Sequence, residues 1–163
     1  MQELLPLAAE IGARLKARGE TIAVSESSTG GLVSAALLSV PGASAYFLGG
    51  AVVYTKKARE VLIDLPAEII IEAKAQKPLS EAFVTLLGHT LRTQFGSTWA
   101  LAEIGATGPA GSRYGDPAGT ACIALAGPSE KAMTVQTGVT EDRVANMRLF
   151  AKAALEMLKA ELG

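Results

Sequence analysis

The chain predicts a three-layer α/β/α fold with a mixed sheet of about five strands. Three observations carry this. Its 163 residues amount to one domain, residues 1–163. Through the first half, short apolar runs of strand character alternate with segments of helical period. Three further strand-like runs, separated by Gly/Pro turns, then follow one another before a long final helical segment, which calls for antiparallel neighbours beside a parallel pair.

The elements follow in order. Leu4, Leu7, Ala8, Ile11 and Leu15 recur at helical spacing, and Gly19 behind Lys16 and Arg18 marks the end of that helix. Residues 21–25 read as a buried strand, and Ser27 to Gly31 as a turn feeding a helix that runs to Ser39. Ala51 to Tyr54 reads as the second strand and Lys56 to Leu62 as another helical stretch. Ile69 to Ile71 fits a strand by propensity and a short helix by its charged flanks. Ser80, a plausible N-cap, opens a helix to Phe95. Trp99 to Ala106, Thr120 to Ala126 and Ala132 to Thr137 are the three late strands, and Glu141 to Leu162 is the last helix.

Composition narrows the function. Hydrophobic residues make up 49% and charged residues 19% of the chain, which excludes a disordered one. Fifteen basic against sixteen acidic residues leave a net charge of −1, so there is no basic field for nucleic acid or for an anionic membrane. The single cysteine, Cys122, excludes an internal disulfide and a Cys-rich zinc site, and the single histidine, His89, removes His-paired metal sites. The first residues lack a basic segment followed by an apolar core, which argues against a secretory signal. Residues 27–55 carry no charge, but Pro41-Gly42 and Gly49-Gly50 interrupt them, so they read as helix, turn and strand rather than a membrane span. A cytoplasmic protein is the expectation.

Four segments hold chemistry-bearing residues. Glu26-Ser27-Ser28-Thr29-Gly30-Gly31 lies between a strand and a helix, where backbone N–H groups and the helix dipole suit a phosphate or carboxylate; a helix cap with a tight turn explains the same residues. Ser44 lies in a turn upstream of Lys56, Lys57 and Arg59. A serine nucleophile needs a base, which a lysine of lowered pKa can be and an arginine cannot; the alternative is a turn hydroxyl and a solvated helix face. The glycine-rich loop from Gly105 to Thr120 places Thr107 and Gly108 where backbone N–H groups could form an anion or oxyanion nest, and Arg113 and Asp116 either serve a ligand or pair with each other. Arg143 follows Glu141 and Asp142 at a helix start. The dipole there favours the acids as caps and opposes the arginine, so Arg143 needs another partner. His89 and Cys122 read as structural.

In their order along the chain, these segments resemble the CinA C-terminal-domain family of nicotinamide mononucleotide amidohydrolases. The resemblance rests on residues 25–32, Pro41 to Phe47, Gly50 to Tyr54, Gly108 to Gly111, Pro117 to Thr120 and Asp142-Arg143. It implies a domain that hydrolyses the carboxamide of nicotinamide mononucleotide to nicotinate mononucleotide and ammonia, without a metal or organic cofactor, and a homo-oligomer. It places the nucleophile on Ser44, the supporting tyrosine on Tyr54 and the late arginine on Arg143. The Glu26–Gly31 turn would line the pocket, and Thr107 and Gly108 would supply oxyanion or phosphate contacts. This chain departs from the family pattern at several positions. Arg59 stands where the family has its catalytic lysine, with Lys56 one helical turn earlier as a substitute. Ser28 replaces the usual cysteine, and Ile104 the usual serine or threonine. The alternative function is therefore a nucleotide-binding or interaction module of the same fold that has lost its lysine base.

Overall fold

The computed structural model describes residues 1–63, 69 and 77–163. Helix α1 (Leu5–Arg18) takes Pro6 in its first turn, where no N–H is needed, and closes on Gly19 in the left-handed conformation at φ 62°. Its Ala8, Ile11 and Leu15 are wholly buried. Strand β1 (Ile22–Glu26) is buried along its whole length, as a central strand covered on both faces must be. Helix α2 (Leu32–Leu38) and a 3-10 turn (Ala43–Ala45) lead to strand β2 (Phe47–Val52). Helix α3 (Lys56–Leu62) follows, capped by the Thr55 hydroxyl, and it has no buried residue. Helix α4 (Glu81–Phe95) has the Ser80 cap, which accepts from the Phe83 N–H at 3.2 Å. Strands β3 (Trp99–Ala106), β4 (Thr120–Ala126) and β5 (Lys131–Gln136) precede the final helix α5 (Arg143–Glu161).

The sheet order is β2-β1-β3-β4-β5. β1 pairs in parallel with both β2 and β3, and β4 runs antiparallel to β3 and β5, so the sheet is mixed. One face carries Ile22, Val24, Trp99, Leu101, Ile123 and Leu125 against α1, α2 and α5. The other carries Ala23, Ala100, Ala102, Cys122 and Ala124 against α4. Large side chains under three helices and small ones under a single helix divide the core unequally. The alanine face lets α4 settle close to the sheet, where a Cβ added at Gly88 would meet that of Ala126 at 3.5 Å. The three layers are those the pattern of elements predicts.

The second strand differs from its expectation. It begins at Phe47 and ends before Tyr54, four residues ahead of the predicted start. Gly49 and Gly50 read in the sequence as breakers, but here they are sites of close approach: a Cβ on Gly49 would meet the Phe95 ring at 2.6 Å, and one on Gly50 the Ser34 hydroxyl at 2.5 Å. The expectation for residues 69–71 lies outside the described residues apart from Ile69. Trp99 is fully buried and donates to Glu20 at 2.7 Å. His89 meets Glu130 at 3.1 Å on the surface. Among the described residues no helix is long and apolar enough to cross a membrane, and no cluster of three or more His, Cys, Asp or Glu side chains could hold a metal.

Candidate functional site

β1 and β3 run parallel, so the turn after Glu26 and the loop after Ala106 open on the same edge of the sheet. A cavity of about 800 Å³ lies there. Ile104, Gly105 and Ala106 form its floor, Lys56, Arg59 and Glu60 of α3 one wall, and Leu79 and Phe83 at the start of α4 another. The loop from Thr107 to Tyr114 covers it, and Ser27, Tyr54 and Arg143 border it.

Three guanidinium groups face this space. Arg143, at the first position of α5, has its partners across the fold: it donates to the Gly108 carbonyl at 3.0 Å and to the Tyr54 hydroxyl at 3.2 Å. Asp142 caps the helix instead, accepting from the Ala145 N–H at 2.8 Å. Arg59 lies 5.2 Å above the Phe83 ring centre, and Arg113 lies 5.7 Å from that of Tyr114. Burial, reinforced by the neighbouring Arg113 charge, lowers the pKa of Arg59, against the opposite pull of Tyr114 and Glu60. An arginine starts so high that it stays charged at neutral pH. None of these three arginines has a carboxylate partner in an ion pair among the described residues.

Of the residues expected at the site, Ser27, Tyr54, Lys56, Arg59, Thr107, Gly108 and Arg143 come together around the cavity. Ser44 does not. It is exposed on the turn before β2, and the parallel pairing of β1 with β2 puts that turn at the opposite edge of the sheet. The length of β2 separates the two edges, about 17 Å at a strand's rise of about 3.3 Å per residue. Nor do Glu26, Ser28, Thr29, Gly30 and Gly31 line the cavity. Glu26 is fully buried and caps α2 from a distance. Its Oε1 accepts from the Ser34 N–H at 2.8 Å and the Ser34 hydroxyl at 2.6 Å, and its Oε2 from the N–H groups of Gly31 and Val33 at 3.0 Å. The cap residue Gly31 has no side chain to do this itself. Ser28 and Thr29 turn inward to Glu103. Gly30 and Gly31 supply positive φ angles of 66° and 97°.

Two polar residues at the site were not singled out from the sequence. Glu103, 1% exposed, accepts from the N–H groups of Ser27 and Thr29 at 3.0 Å each and from the Ser28 hydroxyl. Its signal was a lone carboxylate inside the apolar run Trp99–Ala106. Asn146, fully buried on α5, donates to the carbonyls of Thr107 and Val139 at 2.9 Å and accepts from the Thr137 hydroxyl at 2.5 Å. Nothing in the sequence marked it.

Arg113 and Asp116 do not pair. Asp116 accepts from Lys77 at 2.5 Å and from the Ser112 hydroxyl at 2.6 Å, which ties the covering loop to the chain before α4. Burial pushes its carboxyl up, but Lys77 and Ser112 outweigh this and hold it below the ordinary value of 3.8. A depressed carboxyl stabilises the fold above its unfolded value, and that contribution is lost as pH falls through the folded value. Asp116→Asn should cost about 1 kcal/mol at neutral pH, the half-exposed lysine limiting the effect. Urea midpoints of wild type and variant should converge once the pH is well below 3.8.

The model of the CinA C-terminal domain matches residues 4–162. The chain belongs to the CinA C-terminal domain family. Among its relatives, the CinA-like protein of Synechococcus sp. (strain CC9902) is 38% identical over 157 residues, covering 96% of this chain and 37% of that protein. The CinA-like protein of Anaeromyxobacter dehalogenans is 39% identical over 150 residues, 92% of this chain and 36% of that one. This CinA domain thus spans little more than a third of the length of the curated relatives it matches. A crystal structure of a CinA superfamily protein from Klebsiella pneumoniae superposes with a TM-score of 0.86 at 27% identity, covering 98% of this chain and 97% of that one. One from Enterobacter cloacae gives 0.85 at 25%, covering 98% and 92%.

Proposed function

We propose that the cavity binds a phosphorylated nucleotide bearing a carboxamide, of the nicotinamide mononucleotide type, and hydrolyses that amide with Ser27 as nucleophile. The observation that carries this reading is the Ser27 hydroxyl, which borders a cavity with three arginines free of ion pairs and has no hydrogen-bond partner among the described residues. Arg59 and Arg113 suit a phosphate, and Phe83 and Tyr114 suit a flat base.

In this mechanism the Ser27 oxygen bonds to the amide carbon. Thr107 and Gly108 face the developing oxyanion, and Arg143 braces that loop through the Gly108 carbonyl. For Lys56, the lysine among the lining residues, to take the serine proton and pass it to the departing nitrogen as ammonia leaves, it must leave its exposed position 3.9 Å from Glu60 and lose its water as substrate fills the cavity. Water then splits the acyl ester to a carboxylate and restores the serine. Ser44 has no part in these steps.

A second reading is favoured by Arg59, which cannot accept a proton: the same pocket holds the nucleotide without turning it over. Ammonia assays on purified protein with nicotinamide mononucleotide decide between them. Under the first reading Ser27→Ala loses at least about a hundredfold in kcat, and Ser44→Ala stays within about twofold of wild type. Calorimetric binding with no ammonia above the Ser27→Ala level selects the second. Equal loss in Ser44→Ala would sink the assignment of Ser27.

A further inference from the structure

Thr29 presents a problem of hydrogen counting. Its hydroxyl oxygen lies 2.8 Å from Glu26 Oε2 and 2.9 Å from Glu103 Oε2. A threonine hydroxyl carries one hydrogen, and an ionised carboxylate carries none. Two ionised carboxylates would leave one of these contacts with lone pairs on both sides and no hydrogen between them. The geometry is satisfied when one of the two acids brings a hydrogen of its own.

The remaining partners say which. Glu26 receives four hydrogens besides that of Thr29: the N–H groups of Gly31, Val33 and Ser34 and the Ser34 hydroxyl. Both of its oxygens thus accept, more donors than reach Glu103, and three of them are N–H groups at the start of α2, where negative charge is favoured. Glu103 receives three, from the N–H groups of Ser27 and Thr29 and from the Ser28 hydroxyl. It lies mid-sheet, opposite Ile123 of β4. No lysine, arginine or histidine pairs with either carboxyl among the described residues, and the two share the Thr29 hydroxyl. Burial raises the pKa of Glu103 above its ordinary value of 4.5, against the lowering by its bonds to Ser28, Thr29 and Ser27.

We propose that Glu103 is the neutral acid of an acid–hydroxyl–carboxylate chain running from Glu103 through Thr29 to Glu26, and that in this form it is the positioning residue for Ser27. It holds the Ser27 N–H and so sets where the hydroxyl, three bonds from that nitrogen, enters the cavity. The functional part rests on the reading of Ser27 given above; the placement of the proton does not.

Three measurements on the full chain separate these parts. Infrared difference spectra of wild type against Glu103→Gln at neutral pH should show the carbonyl stretch of a protonated carboxyl, shifting on deuteration, in wild type alone; its absence from wild type overturns the proposal. Stability against pH gives the second test. A raised carboxyl contributes fully below its unfolded value, and its contribution is lost as pH rises toward the folded value. Above pH 4.5 the unfolding constant of wild type should therefore rise about tenfold per pH unit relative to that of Glu103→Gln. Parallel curves overturn the neutral acid.

The third measurement is amide hydrogen exchange at Ser27 and Thr29. Both N–H groups end on the one oxygen Oε2, so a glutamine that turns its oxygen to them and its NH2 group to the Ser28 hydroxyl keeps both bonds; protection should survive in Glu103→Gln and fall by at least about tenfold in Glu103→Ala, which strands them. Unchanged protection in Glu103→Ala overturns the positioning role, and should that variant not fold, loss of protection in Glu103→Gln does the same. If wild type releases ammonia, Glu103→Gln should hold kcat within about threefold with an unshifted KM. If it releases none, the reading of Ser27 fails while the spectrum and the exchange still judge Glu103.

Discussion

Glu26→Ala should destabilise the protein by about 3–5 kcal/mol, a large part of the roughly 5–15 kcal/mol that holds a domain of this size together. The reason is a concentration of donors on one side chain. Three backbone N–H groups at the start of α2 and the Ser34 hydroxyl end on its two oxygens, and the Glu26 side chain that gathers them is fully buried. Alanine leaves all of them without an acceptor, and each buried orphan costs about 1–3 kcal/mol before relaxation. Gly31 cannot take over, since it has no side chain. Glu26→Gln keeps one accepting oxygen but sets an NH2 group against N–H donors, so it should fall between wild type and alanine. Urea unfolding followed by circular dichroism gives the ranking. A loss below about 1 kcal/mol in the alanine variant would mean that α2 finds another cap.

The second large effect is expected at Asn146. Asn146→Ala should cost about 2–4 kcal/mol by urea midpoint, because it strands the buried carbonyl of Thr107 and takes a partner from the part-buried Val139 carbonyl and Thr137 hydroxyl. This change also reaches the cavity. The Thr107 carbonyl is where α5 grips the covering loop, next to the Gly108 carbonyl that Arg143 holds. A calorimetric titration with nicotinamide mononucleotide should then weaken by at least about tenfold although no residue lining the cavity has changed. Asn146→Asp replaces the amide donor with an acceptor and should be no better. Unaltered affinity in a folded alanine variant would show that the loop holds its shape without this anchor.

The legible and illegible parts of the sequence divide along physical lines. Gly19 closes α1, Ser80 opens α4 and Asp142 opens α5, because caps are local chemistry between residues a few positions apart. The glycine loop after β3 and the hydroxyl-rich turn after β1 also gave themselves away as bends between regular elements. The direction of a side chain at a bend depends on what the rest of the fold brings near, and sequence alone does not give it. Glu26 reads equally as a ligand contact or a cap until α2 is seen resting on it. The resemblance places the nucleophile on Ser44, whose turn lies at the other end of the parallel pair β1–β2 from the cavity, a matter of which edge of the sheet a turn occupies. The start of β2 was misplaced because Gly49 and Gly50 leave room for Phe95 and Ser34, residues distant along the chain. Glu103 stood out only as a charge among alanines, and Asn146 as nothing unusual.

The alanines beneath α4 have a consequence of their own. Leu79 and Phe83, which wall the cavity, pack on the same layer of methyl groups as the rest of that helix. The height of α4 above the strands therefore sets the width of the binding cleft. A bulkier side chain at Ala102 or Ala124 would act as a shim, tilting the whole helix and changing the aperture while leaving every polar group in place. Drift in ligand size among proteins of this shape has a route through the least conspicuous residues of the sheet.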